Sequence, residues 1–219
     1  VVKDVSALFQ LISNNKVNTQ DFAASVIMAQ SNSNETILRY CKMYNFDYSK
    51  HRICLSIEFD SEVPTTSTRK YITREIFSSI TTWIMNTYGC NVFFLKTHTH
   101  YVLYLLFSDV ISQETAEYQA SEAAKKIWHI FNHNNISTYI GVSLYSSDLQ
   151  QISKAFFQAI DAMKLGRKLY PEENVFLFRT IQVYQWLSTM PQESLEEMYR
   201  DTIEPLSKAG NSDVNYVHI

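Results

Sequence analysis

The chain has 219 residues, 46% of them hydrophobic, which is enough to bury a sizeable core in one large or two small domains. Its 19 Lys and Arg stand against 22 Asp and Glu for a net charge of −3, without a basic block long enough to serve as an arm for phosphates. Nucleic-acid binding by this segment alone is therefore disfavoured, and only four glycines and four prolines favour long elements over a many-stranded sandwich of short strands.

In chain order, the first fifty residues carry helical patterning. Val5, Leu8, Phe9 and Ile12 recur at helix spacing, as do Phe22, Val26 and Ile27, then Ile37, Leu38 and Cys41. Polar joints at Asn14-Asn15 and Ser31-Asn-Ser-Asn34 offer N-cap chemistry for the next helix. From Arg52 the period changes. Ile53-Cys-Leu-Ser-Ile57 and Phe59 read as a buried first strand, bounded by a polar loop around Val63-Pro-Thr-Thr-Ser67. Ile72, Ile76, Ile80, Trp83 and Thr87 mark one helical face that closes at Gly89, a residue suited to a left-handed end. Asn91 to Thr97 and His100 to Phe107 predict a hairpin. A second helix follows, with Ala116, Ala120, Ala123, Ile127 and Ile130 inward.

The strand Thr138 to Leu144 comes next, then a helix with Ile152, Phe156, Ala159 and Met163 inward, then the strand Val175 to Phe178. Two short helices, near Val183 to Met190 and Ser194 to Leu206, close the chain. The order from Arg52 is β-α-β-β-α-β-α-β, a ferredoxin-like pattern with one further helix and strand. The expected class is α+β, with an antiparallel-rich sheet and consecutive helices on one of its faces. The organisation reads as a helical lead-in over 1–50, an α+β domain over 51–182, and C-terminal helices over 183–219. The sequence has no internal repeat or low-complexity tract.

Cys41, Cys54 and Cys90 make an odd count without a CxxC, which supports neither a disulfide framework nor a zinc cluster and fits a cytoplasmic protein. No run of about 18 apolar residues suits a membrane span, and the N-terminus lacks the pattern of a signal peptide. Beginning at Val1, the chain reads as a piece of something longer.

Side chains that carry chemistry are sparse. No Gly-x-Ser-x-Gly, Walker loop or HExxH occurs. His98 and His100 share one strand face and His129 and His133 are spaced i, i+4, yet neither pair has an identifiable third ligand, so surface histidines are expected and no metal is assigned. Phe93, Phe94, Tyr101, Tyr104 and Phe107 suit sheet core better than nucleobase stacking, because no basic surround accompanies them. On the terminal helices, Val183, Tyr184, Trp186, Leu187, Leu195, Met198, Tyr199 and Ile203 present more apolar area than one helical stripe needs. A second protomer or an adjoining module would cover them, or they cap their own domain.

Several segments, taken together in order, carry a family likeness. Ile37-Leu-Arg-Tyr-Cys-Lys-Met-Tyr-Asn-Phe46 leads through Ser49-Lys-His-Arg52 to the first strand, Ile140-Gly-Val-Ser143 follows, and then come Lys154-Ala-Phe-Phe-Gln-Ala159 and Ala162-Met-Lys-Leu-Gly166. With Val183-Tyr-Gln-Trp-Leu187 and Tyr199 to Leu206, residues 35 to 208 resemble the GGDEF-like central domain of bacterial sugar-diacid and purine-catabolism transcription regulators, the CdaR/PucR type.

A working diguanylate cyclase needs a Gly-Gly turn for phosphates and acidic groups to hold Mg²⁺. The corresponding hairpin here, Lys96-Thr-His-Thr-His-Tyr101, has neither a glycine nor a carboxylate, and Glu58 and Asp60 stand alone at the first strand's end. The resemblance thus implies a non-catalytic, cofactor-free regulatory and dimerisation module of a cytoplasmic regulator. Its DNA contact would run through a helix-turn-helix outside this chain. A small-molecule effector would sit in the crevice bordered by Glu58, Asp60, His98, His100 and Tyr101, and a homodimer contact would form at Trp186, Leu187, Met198 and Tyr199. The alternative is a nucleotide-binding or divergent cyclase-like enzyme domain.

Overall fold

The computed structural model describes residues 26, 33–60, 67–97, 99–108 and 110–205, with the side chains of 67–74 and 188 left aside. The helical faces expected before residue 33, apart from Val26, lie outside the described residues. So do most of the loop after β1, the Ile72 side chain, His98 and Leu206.

Helix α1 (Asn34–Met43) starts at Ser33, whose hydroxyl accepts the Thr36 N–H at 3.4 Å, and buries Ile37 and Cys41. It ends through Asn45 at φ 56°, after which the Phe46 N–H returns to the Cys41 carbonyl at 2.8 Å. This is a left-handed closure sealed by an apolar residue. Strand β1 (His51–Phe59) follows. Helix α2 (Ser67–Tyr88) closes at Gly89, at φ 64° as its placement in the sequence suggests. Strands β2 (Asn91–Lys96) and β3 (Tyr101–Phe107) form the expected hairpin. Helix α3 (Gln113–His133) is capped by Ser112 and ends through Asn135 at φ 56°, repeating the exit of α1.

Strand β4 (Thr138–Val142), helix α4 (Gln151–Leu169) and strand β5 (Val175–Leu177) complete the sheet. Its order is β2-β3-β1-β4-β5, with β1 antiparallel to β3 and β4 and β5 parallel to β4. The class is α+β, as expected. The chain falls into two compact units that divide between Ile181 and Gln182.

One expectation is corrected: the helices do not share a sheet face. Ile53, Leu55 and Ile57 of β1 pack with α2 and α3, while Cys54 joins α1 and α4 on the opposite side. The cause is in β1 itself, buried at every position from Arg52 to Ile57. A strand covered on both faces reads as a continuous apolar run rather than an alternation.

Strand ends also differ: β2 stops at Lys96 rather than Thr97, β3 starts at Tyr101 rather than His100, and β4 and β5 stop at Val142 and Leu177 rather than Leu144 and Phe178. Past the end of β4, the Ser143 N–H still donates to the Cys54 carbonyl at 2.9 Å while its Oγ, in place of its carbonyl, accepts the Cys54 N–H at 2.8 Å. Phe178 belongs to helix α5 (Phe178–Thr189), which continues directly from β5. Helix α6 (Gln192–Met198) runs on into a π-helical turn over Tyr199–Ile203.

Gly141 explains part of the Ile140-Gly-Val-Ser143 motif, since a Cβ there would overlap the backbone carbonyl of Ala159 in α4. Helix and strand approach so closely only at a glycine.

Arg52 fixes the same corner. It is fully buried, and its guanidinium donates to four backbone carbonyls, those of Tyr48, Lys50, Ser147 and Asp148, at 2.9 to 3.3 Å. Burial lowers its pKa, opposed by the nearby Cys41, Tyr104, Asp148 and Asp47 groups. Carbonyl dipoles hold this cation, and they tie the loop before β1 to the loop before α4. No described helix is long and apolar enough to cross a membrane.

Candidate functional site

Strand alternation decides which residues of the first-strand crevice meet. Glu58 pairs in register with Tyr139 of β4 and lies on the side of β1 that faces α4. Its Oε1 is 3.4 Å from Nη1 of Arg167, and the Arg167 guanidinium carbon sits 3.9 Å from the centroid of the Tyr139 ring. The other carboxylate oxygen, Oε2, is 3.9 Å from Nδ1 of His100. That separation is too long for a hydrogen bond. His100 is 8% exposed, its Nδ1 is buried without a hydrogen-bond partner, and its ring meets Phe156 edge-on at 6.4 Å.

Burial holds the His100 pKa below the ordinary histidine value, Glu58 opposes that shift, and Lys164 adds to it. The crevice thus gathers Glu58, His100, Tyr139, Lys164 and Arg167 from β1, the β2–β3 turn, β4 and α4. Lys164 and Arg167 were not anticipated from sequence. Their i, i+3 spacing on α4 was the available signal, but nothing in it points to a strand more than a hundred residues earlier.

The remaining predicted crevice residues do not all converge. Tyr101 follows His100 directly and therefore turns to the opposite face. Its ring stacks on Phe77 at 4.8 Å and contacts Phe59 at 5.0 Å, with the Lys96 ammonium 4.8 Å from its centroid. Asp60 lies one residue past β1 and extends the pairing through its N–H to the Ser137 carbonyl at 3.1 Å. The strand does not persist far enough to put Asp60 and Glu58 on one regular face.

The hairpin turn is closed by its own groups. The Thr97 N–H donates to the His100 carbonyl at 2.8 Å, the Thr97 hydroxyl donates to the same carbonyl at 3.1 Å, and the His100 N–H donates to the Thr97 hydroxyl at 2.9 Å. A phosphate cradle works by presenting backbone N–H groups to the ligand. Here two of the turn's N–H groups are engaged internally.

Among the described residues, no group of three or more His, Cys, Asp and Glu side chains is placed to hold a metal ion. His129 and His133 are exposed on α3. Burial raises Cys41 and Cys90 to about 11 and Cys54 further, so these thiols remain protonated at neutral pH.

The sheet aromatics form no open stacking platform. Tyr104 and Phe107 are buried, Phe94 packs on Phe77 and Phe93 on Phe46.

On the second unit, Trp186, Met198 and Tyr199 are exposed and Leu187 is half-buried. Leu195 and Tyr199 also line an open hollow with Gln192, Glu196, Arg200 and Glu204.

No curated protein matches the chain. The sequence model of the family described as GGDEF-like domain matches residues 30–165, more than half of the chain, spanning α1, the first four strands and most of α4. The chain belongs to the GGDEF-like domain family.

Proposed function

We propose that this chain is a non-catalytic regulatory and dimerisation module of a cytoplasmic bacterial transcription regulator of the CdaR/PucR type, and that it couples an effector signal to a DNA-binding domain outside the chain. The observation that carries the reading is the Thr97–His100 turn, which engages two of its backbone donors, those of Thr97 and His100, on its own groups at the position where a cyclase presents donors to phosphates. Glu58 supports it from the other side of the crevice. Arg167 pairs with one oxygen of this carboxylate at 3.4 Å, so a divalent cation there would compete with the guanidinium.

The likeness of the Val183–Leu187 and Tyr199–Leu206 segments to those regulators supports the transcriptional role. The effector would enter beside Arg167 and Lys164, which suit a carboxylate-bearing ligand such as a sugar diacid. A ligand acts on such a module only by binding one arrangement better than another, for instance one dimer spacing matched to operator half-sites. The same two cations favour a second reading, a nucleotide receptor without turnover.

Incubation with GTP and Mg²⁺ or Mn²⁺ tests the first half. Release of pyrophosphate or formation of a cyclic dinucleotide overturns the non-catalytic reading. Calorimetry with sugar diacids and with GTP separates the two ligand classes, and no heat from either leaves a scaffold without an effector.

A further inference from the structure

The later part of helix α5 carries exposed apolar side chains. Val183, Trp186 and Met190 are 49%, 61% and 43% exposed, and with the half-buried Leu187 they occupy one arc about 100° wide at helical spacing. Met190 lies just past the helix end and keeps its place by donating its N–H to the Leu187 carbonyl at 3.2 Å. No charged residue occurs between Arg179 and Glu193. The next helix is different in kind. Glu193, Glu196, Glu197, Asp201 and Glu204 stand there against the single Arg200.

We infer that the Val183–Trp186–Leu187–Met190 stripe of α5 docks antiparallel on the same stripe of a second copy of this chain. Two observations select that occupant. Identical copies that meet about a two-fold axis bring identical charges together, and this stripe has none to oppose. A basic DNA-binding module is matched by the acidic α6, and a membrane surface selects helices flanked by Lys and Arg, which α5 lacks over this stretch.

The second observation is the spacing. Positions 183, 186, 187 and 190 are separated by three, one and three residues, which reads the same in both directions. In an antiparallel pair centred between Trp186 and Leu187, the small Val183 faces the second copy's long Met190. The large Trp186 then faces the second copy's Leu187. Each contact occurs twice, as an isologous interface requires.

This inference rests on the dimerisation half of the proposed function and names its contact. The experiment measures mass by sedimentation equilibrium and cross-linking by engineered cysteines under mild oxidation. The native Cys41, Cys54 and Cys90 are buried and stay out of the reaction. The wild-type chain is expected at twice its monomer mass, with Trp186→Asp at half that value and an unchanged far-ultraviolet spectrum.

Leu187→Cys cross-links to itself because it sits beside the axis. Val183→Cys does not, because its two copies lie about 10 Å apart along the helices at 1.5 Å per residue. Val183→Cys mixed with Met190→Cys does cross-link. These cysteine arms decide the matter even if Trp186→Asp fails to fold.

A dimer in which Leu187→Cys gives no cross-link overturns this contact and leaves dimerisation standing. Self-linking of Val183→Cys overturns the antiparallel arrangement. A monomer at all concentrations overturns both the contact and the dimerisation half of the proposed function, while the GTP assay remains a separate test of the rest.

Discussion

Nδ1 of His100 lies 3.9 Å from Oε2 of Glu58, close enough for charge to matter and too far for a shared proton. Around this imidazole the charged groups are Glu58 from β1 and Lys164 from α4, with Arg167 on the far oxygen of the same carboxylate. Burial, the largest influence, lowers the His100 pKa in the folded state. Between the unfolded value near 6.5 and the lower folded one, the unfolded chain therefore binds more protons. The contribution to stability is complete above pH 6.5 and is lost as pH falls below it. Thermal unfolding from pH 7.5 to 5 will show the melting temperature falling more steeply for wild type than for His100→Gln. Parallel curves would dismiss His100 as the source.

Arg52 supplies the second prediction. Replacing it with Met keeps the apolar stem and leaves the carbonyls of Tyr48, Lys50 and Ser147 without this donor, while that of Asp148 keeps the Gln151 N–H at 3.0 Å. The loss is about 3 kcal/mol, from several buried acceptors at roughly 1 kcal/mol each. Urea unfolding measures it. Arg52→Lys recovers only a part, because a single ammonium has no fork with which to reach carbonyls on two loops. A midpoint equal to wild type for Arg52→Met would mean that water replaces the guanidinium at no cost.

These residues also show what the sequence could disclose. The alternation of strand and helix was legible because the apolar period changes sharply at Arg52, and because Gly89 marks a helix end and adopts positive φ there. Covering of both sheet faces was legible in principle, from the unbroken run Ile53 to Ile57, but the ferredoxin-like pattern drew the helices to one face.

The opposed directions of His100 and Tyr101 were equally implied by strand alternation, which puts neighbours on opposite sides. What no local pattern reveals is partnership across the chain. Arg52 meets Ser147 and Asp148 some 95 residues away, and Glu58 meets Arg167 109 residues away. Such pairs are set by sheet order, and a single sequence carries no signal for them.

Two glycines face α4 contacts of different kinds, and substitution separates them. A Cβ at Gly141 overlaps the backbone carbonyl of Ala159, which moves only if the helix moves. A Cβ at Gly166 overlaps Cγ and Cδ1 of Phe176 and lies 2.9 Å from its Cβ, so the residue must shift as a whole, but it belongs to the three-residue edge strand β5, which yields more readily than a helix. Gly141→Ala is expected to cost about 3 kcal/mol, and Gly166→Ala about 1 kcal/mol, the two ends of the range for overpacking. Chemical denaturation of both variants checks the ranking. The reverse order would show that α4 shifts from the sheet more easily than Phe176 does.

Thr97 joins the fold to the functional reading. Its hydroxyl accepts the His100 N–H at 2.9 Å and donates to the His100 carbonyl at 3.1 Å, and the residue is only 4% exposed. Thr97→Val keeps the shape, retains the bond from the Thr97 N–H to the same carbonyl, and leaves the His100 N–H without an acceptor. The expected cost is about 2 kcal/mol, within the range for one buried donor left unpaired. Thr97→Ser keeps the hydroxyl and should lose much less. Hydrogen exchange adds a local readout, since the His100 amide should exchange faster in Thr97→Val while amides in the middle of β3 keep their protection relative to global stability. If the His100 amide is as protected in Thr97→Val as in wild type, the hydroxyl is not what occupies that donor, and closure of the turn does not depend on Thr97.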